Sequence, residues 1–189
     1  MEKFTCFNYN PTKARIGDCV LRAITAFEYF EYVERKLKNV EQISSEELYE
    51  KVKLGITSYG DYTLQRYFEK YLSEQGYVRV EAFNYIDNIR IRTENQLAMF
   101  CKNFNVMALA LSNTHMAYVD PILGVVDTWD SRRKRLEYFY IKEEDVERLE
   151  LKLTEDVDGN TNIKRVSTKE NTIGYNKING KSPIQMGLK

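Results

Sequence analysis

Apolar residues recur at three- and four-residue intervals through Val20, Ile24, Phe27, Phe30 (or Tyr32), Val33 and Leu37, which predicts an amphipathic helix opening at Asp18. Asp18 is a favoured N-cap, since its carboxylate can accept from the unpaired N–H groups of the first turn. Cys19 then stands at or near the first helical position. A second helix is expected from Ser44, where Ser44-x-x-Glu47 has the form of a capping box ahead of Leu48, Tyr49 and Val52. A third runs from Asp61 to about Gln75, with Leu64, Tyr67, Phe68, Tyr71 and Leu72 on one stripe and Gly76 as its stop. Residues 77–92 alternate as one or two strands, and Thr93-x-x-Gln96 opens a short helix through Leu97 and Phe100.

The pattern then changes. Val106–Leu111 is a continuous apolar run of strand length, broken at Ser112-Asn113-Thr114, and His115–Asp120 reads as the next strand. A turn at Pro121–Gly124 leads into Val125–Asp130, and after the basic loop Ser131–Arg135 a further strand covers Leu136–Ile141. Helices followed by an antiparallel meander predict an α+β domain, with N-terminal helices packed on an antiparallel sheet. Residues 1–17, with Asn8, Asn10, Pro11 and Gly17, read as loop. The domain is expected to span 1–142. Residues 143–189 form a C-terminal extension, with a hairpin around Asp158-Gly159 and a polar tail that is flexible or docked on a partner.

Composition narrows the functional classes. Lys plus Arg and Asp plus Glu each total 28 in 189 residues, a balance that argues against a nucleic-acid or membrane-surface binder. Hydrophobic residues at 43% supply a core and exclude disorder for the bulk of the chain. No apolar run approaches the roughly 18–20 residues that cross a bilayer. The start, MEKFTCFNYN, lacks the basic and apolar stretches of a signal peptide, so a cytoplasmic location is expected.

Cys6, Cys19, Cys101 and His115 match a zinc set in number but not in the closely paired spacing that structural zinc sites use, so no metal is expected. Arg132-Arg133-Lys134-Arg135 reads as a solvated hairpin loop.

One arrangement carries chemistry. A thiol at a helix N-terminus faces unpaired N–H groups and the positive end of the helix dipole, which favour thiolate. The competing reading of Cys19 is a small buried filler, and that of His115 a structural histidine. His115 is the single histidine, so any chemistry that needs an imidazole uses it. A base also needs a partner to fix its tautomer, and the returning strand offers Asp127 and Asp130. A four-residue turn at Pro121–Gly124 would set Asp130 opposite His115. A turn of odd length, or a bulge at Gly124, would favour Asp127.

Cys at a helix start, several helices, His on an apolar strand and Asp127-Thr128-Trp129 on the return strand together resemble the papain-like cysteine peptidase superfamily. Gly17-Asp18-Cys19-Val20-Leu21-Arg22-Ala23-Ile24, with His115-Met116 and Asp127-Thr128-Trp129-Asp130-Ser131, looks like a group of small phage and bacterial members over residues 8–141.

The resemblance implies a papain-like fold and a triad of Cys19, His115 and Asp127, with Trp129 covering the His–Asp bond. Papain-like peptidases place a Gln about six residues before the Cys as an oxyanion donor. Lys13 stands there in this chain, so the resemblance leaves the Cys19 backbone N–H, helped by Asn10, for that role. It implies hydrolysis of an amide or related acyl bond in a peptide or protein substrate, without a cofactor. The alternative is a binding protein that keeps the fold and inhibits or recruits a host protein.

Overall fold

The computed structural model describes residues 1–12, 17–32, 43–82, 85–86, 89–149, 151–155 and 161–165. In chain order these form β1 (Phe4–Cys6), α1 (Cys19–Phe30), α2 (Ser45–Thr57), α3 (Gln65–Glu74), β2 (Tyr77–Glu81), β3 (Tyr85–Ile86) and β4 (Ile89–Arg90). There follow α4 (Glu94–Phe104), β5 (Ala108–Ser112), β6 (His115–Asp120), β7 (Gly124–Asp127), β8 (Tyr138–Lys142), α5 (Glu143–Arg148), β9 (Leu151–Glu155) and β10 (Thr161–Arg165).

Six strands make the main sheet in the order β1-β7-β6-β5-β8-β2. Helices and sheet give the expected α+β class, but the sheet is mixed rather than antiparallel, because β1 runs parallel to β7. Residues 4–6, expected as loop, supply that edge strand. Three residues are too few to show an alternating pattern.

The sheet has cores on both faces. Leu109, Leu111, Met116, Tyr118 and Val126 pack with α1, α2 and α3, while Ala108, Ala110, Ala117, Val119 and Val125 pack with α4. Burial on both faces explains why β5 reads as an unbroken apolar run. α1 lies across the first face, with Leu21, Ile24 and Phe27 fully buried. The second core also takes in Val146 of α5 and Leu149, just beyond residue 142.

Ser44 and Glu47 form the capping box expected for α2. Asp61 does not open α3. Its Oδ1 accepts from Thr63 N at 2.9 Å and Thr63 Oγ1 at 2.8 Å, a local turn that delays the helix to Gln65. β9 and β10 pair antiparallel as the hairpin pattern predicts, while Asp158-Gly159 and the tail lie outside the described residues, as do Val33 and Leu37.

The turn after β6 sets the register that matters. Asp120 Oδ1 accepts from Ile122 N at 2.7 Å and Leu123 N at 2.8 Å, closing a three-residue turn with Gly124 paired to Asp120. Gly124 has φ +76°, and a Cβ there would lie 2.1 Å from the Lys3 carbonyl oxygen. Only glycine lets β1 approach β7 so closely.

Candidate active site

Cys19 is the first residue of α1, as expected, yet Asp18 does not cap the helix with its side chain. The carboxylate is fully buried and turned toward the core instead. Its Oδ2 accepts from Asn10 Nδ2 and from Tyr49 Oη, each at 2.7 Å, and its Oδ1 lies 3.4 Å from Arg22 Nη1. A buried carboxylate holds such donors because desolvation without them is costly. The first-turn N–H groups beside Cys19 therefore receive no bond from the Asp18 side chain.

Asn10 belongs to this network. Its Nδ2 also reaches Tyr49 Oη at 3.4 Å, and its Oδ1 accepts from Thr12 N at 2.9 Å and Thr12 Oγ1 at 2.7 Å. Its amide nitrogen is thus directed at the Asp18–Tyr49 pair. Lys13 lies outside the described residues.

His115 opens β6, where Ser112 Oγ donates to its carbonyl at 3.1 Å. Tyr118 pairs with Val126 across β6 and β7, so continuing that register brings Asp127 beside Ala117, one pleat repeat from His115. His115 Nε2 lies 2.5 Å from Asp127 Oδ2, and Asp127 Oδ1 accepts from Thr128 N at 2.7 Å. Both residues are buried. Asp130 is elsewhere: it is exposed and paired with Arg132 Nη2 at 2.6 Å. The odd turn length thus makes Asp127 the partner of His115.

Cys19 and His115 meet across the junction of α1 and β6, near enough for each to shift the titration of the other. With Nε2 on Asp127, the ring nitrogen left for the thiol is Nδ1. Burial pushes the Cys19 thiol up, but the His115 hydrogen bond, the Met116 backbone N–H and the nearby charges of His115 and Arg22 outweigh it, leaving the thiol below its ordinary value. Burial pulls His115 down, whereas the bond to Asp127 and then the bond to Cys19 raise it to about 9. A thiolate–imidazolium pair is the arrangement these shifts favour.

Trp129 leaves the strand after Asp127 and tilts over His115, with ring centroids 5.2 Å apart and Lys134 Nζ 5.5 Å above the indole. The indole is 45% exposed, so it forms an outer cover. Phe7, 47% exposed, and Tyr9 flank the cleft beside Cys19, Met116 and Asp127. That cleft encloses about 10 Å³, room for roughly one water.

Sequence patterning gave no sign of Phe7, nor of Glu94 and Ser131, both buried, with Glu94 in electrostatic reach of His115 and Asp127. A first-turn glutamate on a helix is ordinarily a solvated one, and only the tertiary packing of α4 buries it. Among the described residues no group of three or more His, Cys, Asp or Glu side chains could hold a metal ion, and no helix is long and apolar enough to cross a membrane. Comparison with protein-family models, curated proteins and solved structures finds no match to this chain.

Proposed function

We propose that this protein is a papain-like thiol hydrolase that cleaves an amide or related acyl bond through Cys19, His115 and Asp127. The observation that carries the reading is the continuous path Cys19–His115–Asp127, in which His115 is hydrogen-bonded to Asp127 and electrostatically coupled to the Cys19 thiol. Cys19 thiolate attacks the carbonyl carbon, forming a C–S bond and moving an electron pair onto oxygen. As the tetrahedral adduct collapses, His115 gives its proton to the departing amine. Water, deprotonated by His115, then attacks the Cys19 thioester, and collapse of the second adduct releases the acid and restores the thiolate–imidazolium pair. Asp127 holds the imidazole, and Trp129 limits water around that bond.

The Cys19 backbone N–H, uncapped by Asp18, is available to the oxyanion. The Asp18 and Tyr49 contacts of Asn10 support a role in holding the α1 terminus, rather than direct contact with substrate. A cleft with room for about one water suits a chain laid over Phe7 and Trp129, as a peptide or protein would be, better than a small molecule enclosed in a pocket.

The test is covalent labelling at pH 7 with a thiol-directed acylating probe. The wild type is expected to be labelled at Cys19, His115→Ala slowly, and Cys19→Ala not at all. Labelling of Cys19 that is indifferent to His115→Ala would overturn the triad and leave a binding protein with an inert fold.

A further inference from the structure

Glu94 is a buried acid with no ion-pair partner within salt-bridge distance among the described residues. It is 0% exposed in the first turn of α4, and neither carboxyl oxygen completes a hydrogen bond. Ser131, 1% exposed, points its own unpaired Oγ into the same space. The segment that follows Asp127 and Trp129 is clamped onto this helix end. Glu94 N donates to Lys134 O at 3.2 Å, Asn95 N to Arg132 O at 3.0 Å, and Lys134 N to Ser131 O at 2.7 Å. The charged groups that face Glu94 are His115 from β6, Asp127 from β7 and Lys134 from that segment.

We propose that Glu94, backed by Ser131, is a positioning residue that acts electrostatically on the His115–Asp127 pair. A second full negative charge there would compete with Asp127 for one imidazole and would itself be buried without a partner. Burial resolves this by holding Glu94 as an acid, raised to about 8, although Ser131 and then His115 favour its charged form and Asp127 opposes it. While Glu94 is neutral, Asp127 is the one of these two carboxyl groups that supports the charge on His115. When Glu94 ionises, it adds a second attraction that holds the imidazolium proton more tightly. Proton return to the leaving group then becomes harder as pH rises through this range. The two titrations belong to one coupled unit.

The inference rests on the thiol-hydrolase reading for its meaning in catalysis, but its test does not need turnover. Because His115 is the single histidine, its ring signals can be followed by NMR from pH 5 to 11 in the full chain. In the wild type the His115 curve is expected to carry a second inflection near 8 from Glu94. In Glu94→Gln that inflection vanishes and the His115 midpoint falls by roughly one unit, with the fold retained by circular dichroism. Ser131→Ala, which removes the polar hydroxyl nearest the carboxylate, moves the Glu94 inflection to higher pH. A Glu94→Gln curve that superimposes on the wild type, or an unfolded Glu94→Gln together with an unshifted inflection in Ser131→Ala, would overturn the proposal. Cys19→Ser separates the two ideas: a His115 midpoint unmoved by Cys19→Ser defeats the thiol–imidazole contact while leaving the Glu94 result to stand or fall by itself.

Discussion

His115 Nε2 and Asp127 Oδ2 lie 2.5 Å apart on neighbouring antiparallel strands, one pleat repeat out of direct opposition. That contact does more than orient a ring. It is the strongest influence raising His115 against the downward pull of burial, and His115 in turn leads the influences that lower Cys19, ahead of the Met116 N–H and Arg22. The carboxylate on β7 therefore governs the charge of a sulfur on α1.

The first prediction follows from this relay. Asp127→Asn keeps the shape but removes the charge, so His115 should fall from about 9 toward its ordinary 6.5 and release the thiol upward. Iodoacetamide alkylation of Cys19 at pH 6 is expected to slow by roughly tenfold or more, since the thiolate fraction tracks the thiol pKa. Asp130→Asn, whose side chain pairs with Arg132, should leave the rate unchanged. Peptide mapping of the alkylated cysteines measures both, and equal slowing by the two variants would contradict the assignment.

Stability against pH gives the second prediction. His115 is raised from 6.5 to about 9, so its contribution is complete below 6.5 and is lost as pH climbs through 9. Cys19 is lowered from 9.0, so its contribution is present above 9.0 and is lost as pH falls through its folded value. Over the range they share these two slopes run in opposite directions and work against each other. Glu94, raised from 4.5 to about 8, is not offset: stability tied to its protonated form is lost as pH rises from 4.5 through 8. Urea midpoints of the wild type should therefore decline from pH 6.5 to 8, and Glu94→Gln should flatten that decline.

Much of this was legible in advance, for reasons that differ residue by residue. Helix α1 announces itself by a long apolar period and β5 by an unbroken apolar run, and the position of Cys19 at a helix start follows from where that period begins after Asp18. His115 is found by scarcity. The choice between Asp127 and Asp130 was not open to patterning, because it turns on whether Asp120 closes a three- or four-residue turn. Asp18 misled for a related reason. Its residue type favours capping, but the buried donors of Asn10 and Tyr49 come from distant parts of the chain and offer the carboxylate better partners than its own helix does. β1 escaped notice because an edge strand of three residues carries no period.

A third prediction concerns those donors. Asn10→Ala or Tyr49→Phe each removes one 2.7 Å bond to a fully buried carboxylate. Either should lower unfolding free energy by about 1–3 kcal/mol, the cost of leaving a buried acceptor short of a partner. Tyr49→Phe is expected to leave the pH dependence of Cys19 alkylation unchanged, because Tyr49 touches Asp18 and not the thiol. If Asn10→Ala instead slowed turnover while leaving the denaturation midpoint in place, Asn10 would have to be moved from the support of α1 to contact with substrate.

The last prediction is about Gly124, which lies outside the cleft yet determines its geometry. Two constraints meet at this residue: a left-handed φ of +76°, and the Lys3 carbonyl 2.1 Å from where a Cβ would stand. The neighbour is backbone and part of the link in which Val125 N donates to Lys3 O at 3.1 Å, so it cannot swing aside as a side chain would. Gly124→Ala should therefore push β1 off β7 and cost about 2 kcal/mol or more. The loss has a functional signature, because Phe7 N donates to the Asp127 carbonyl at 2.8 Å and β1 thereby braces the residue that holds His115. Hydrogen exchange should show Phe7 and Val125 amides losing protection together, with the His115 midpoint drifting toward 6.5 as the brace loosens. Loss of thermal stability without any change in the His115 titration would mean that β1 stabilises the sheet but takes no part in setting the triad.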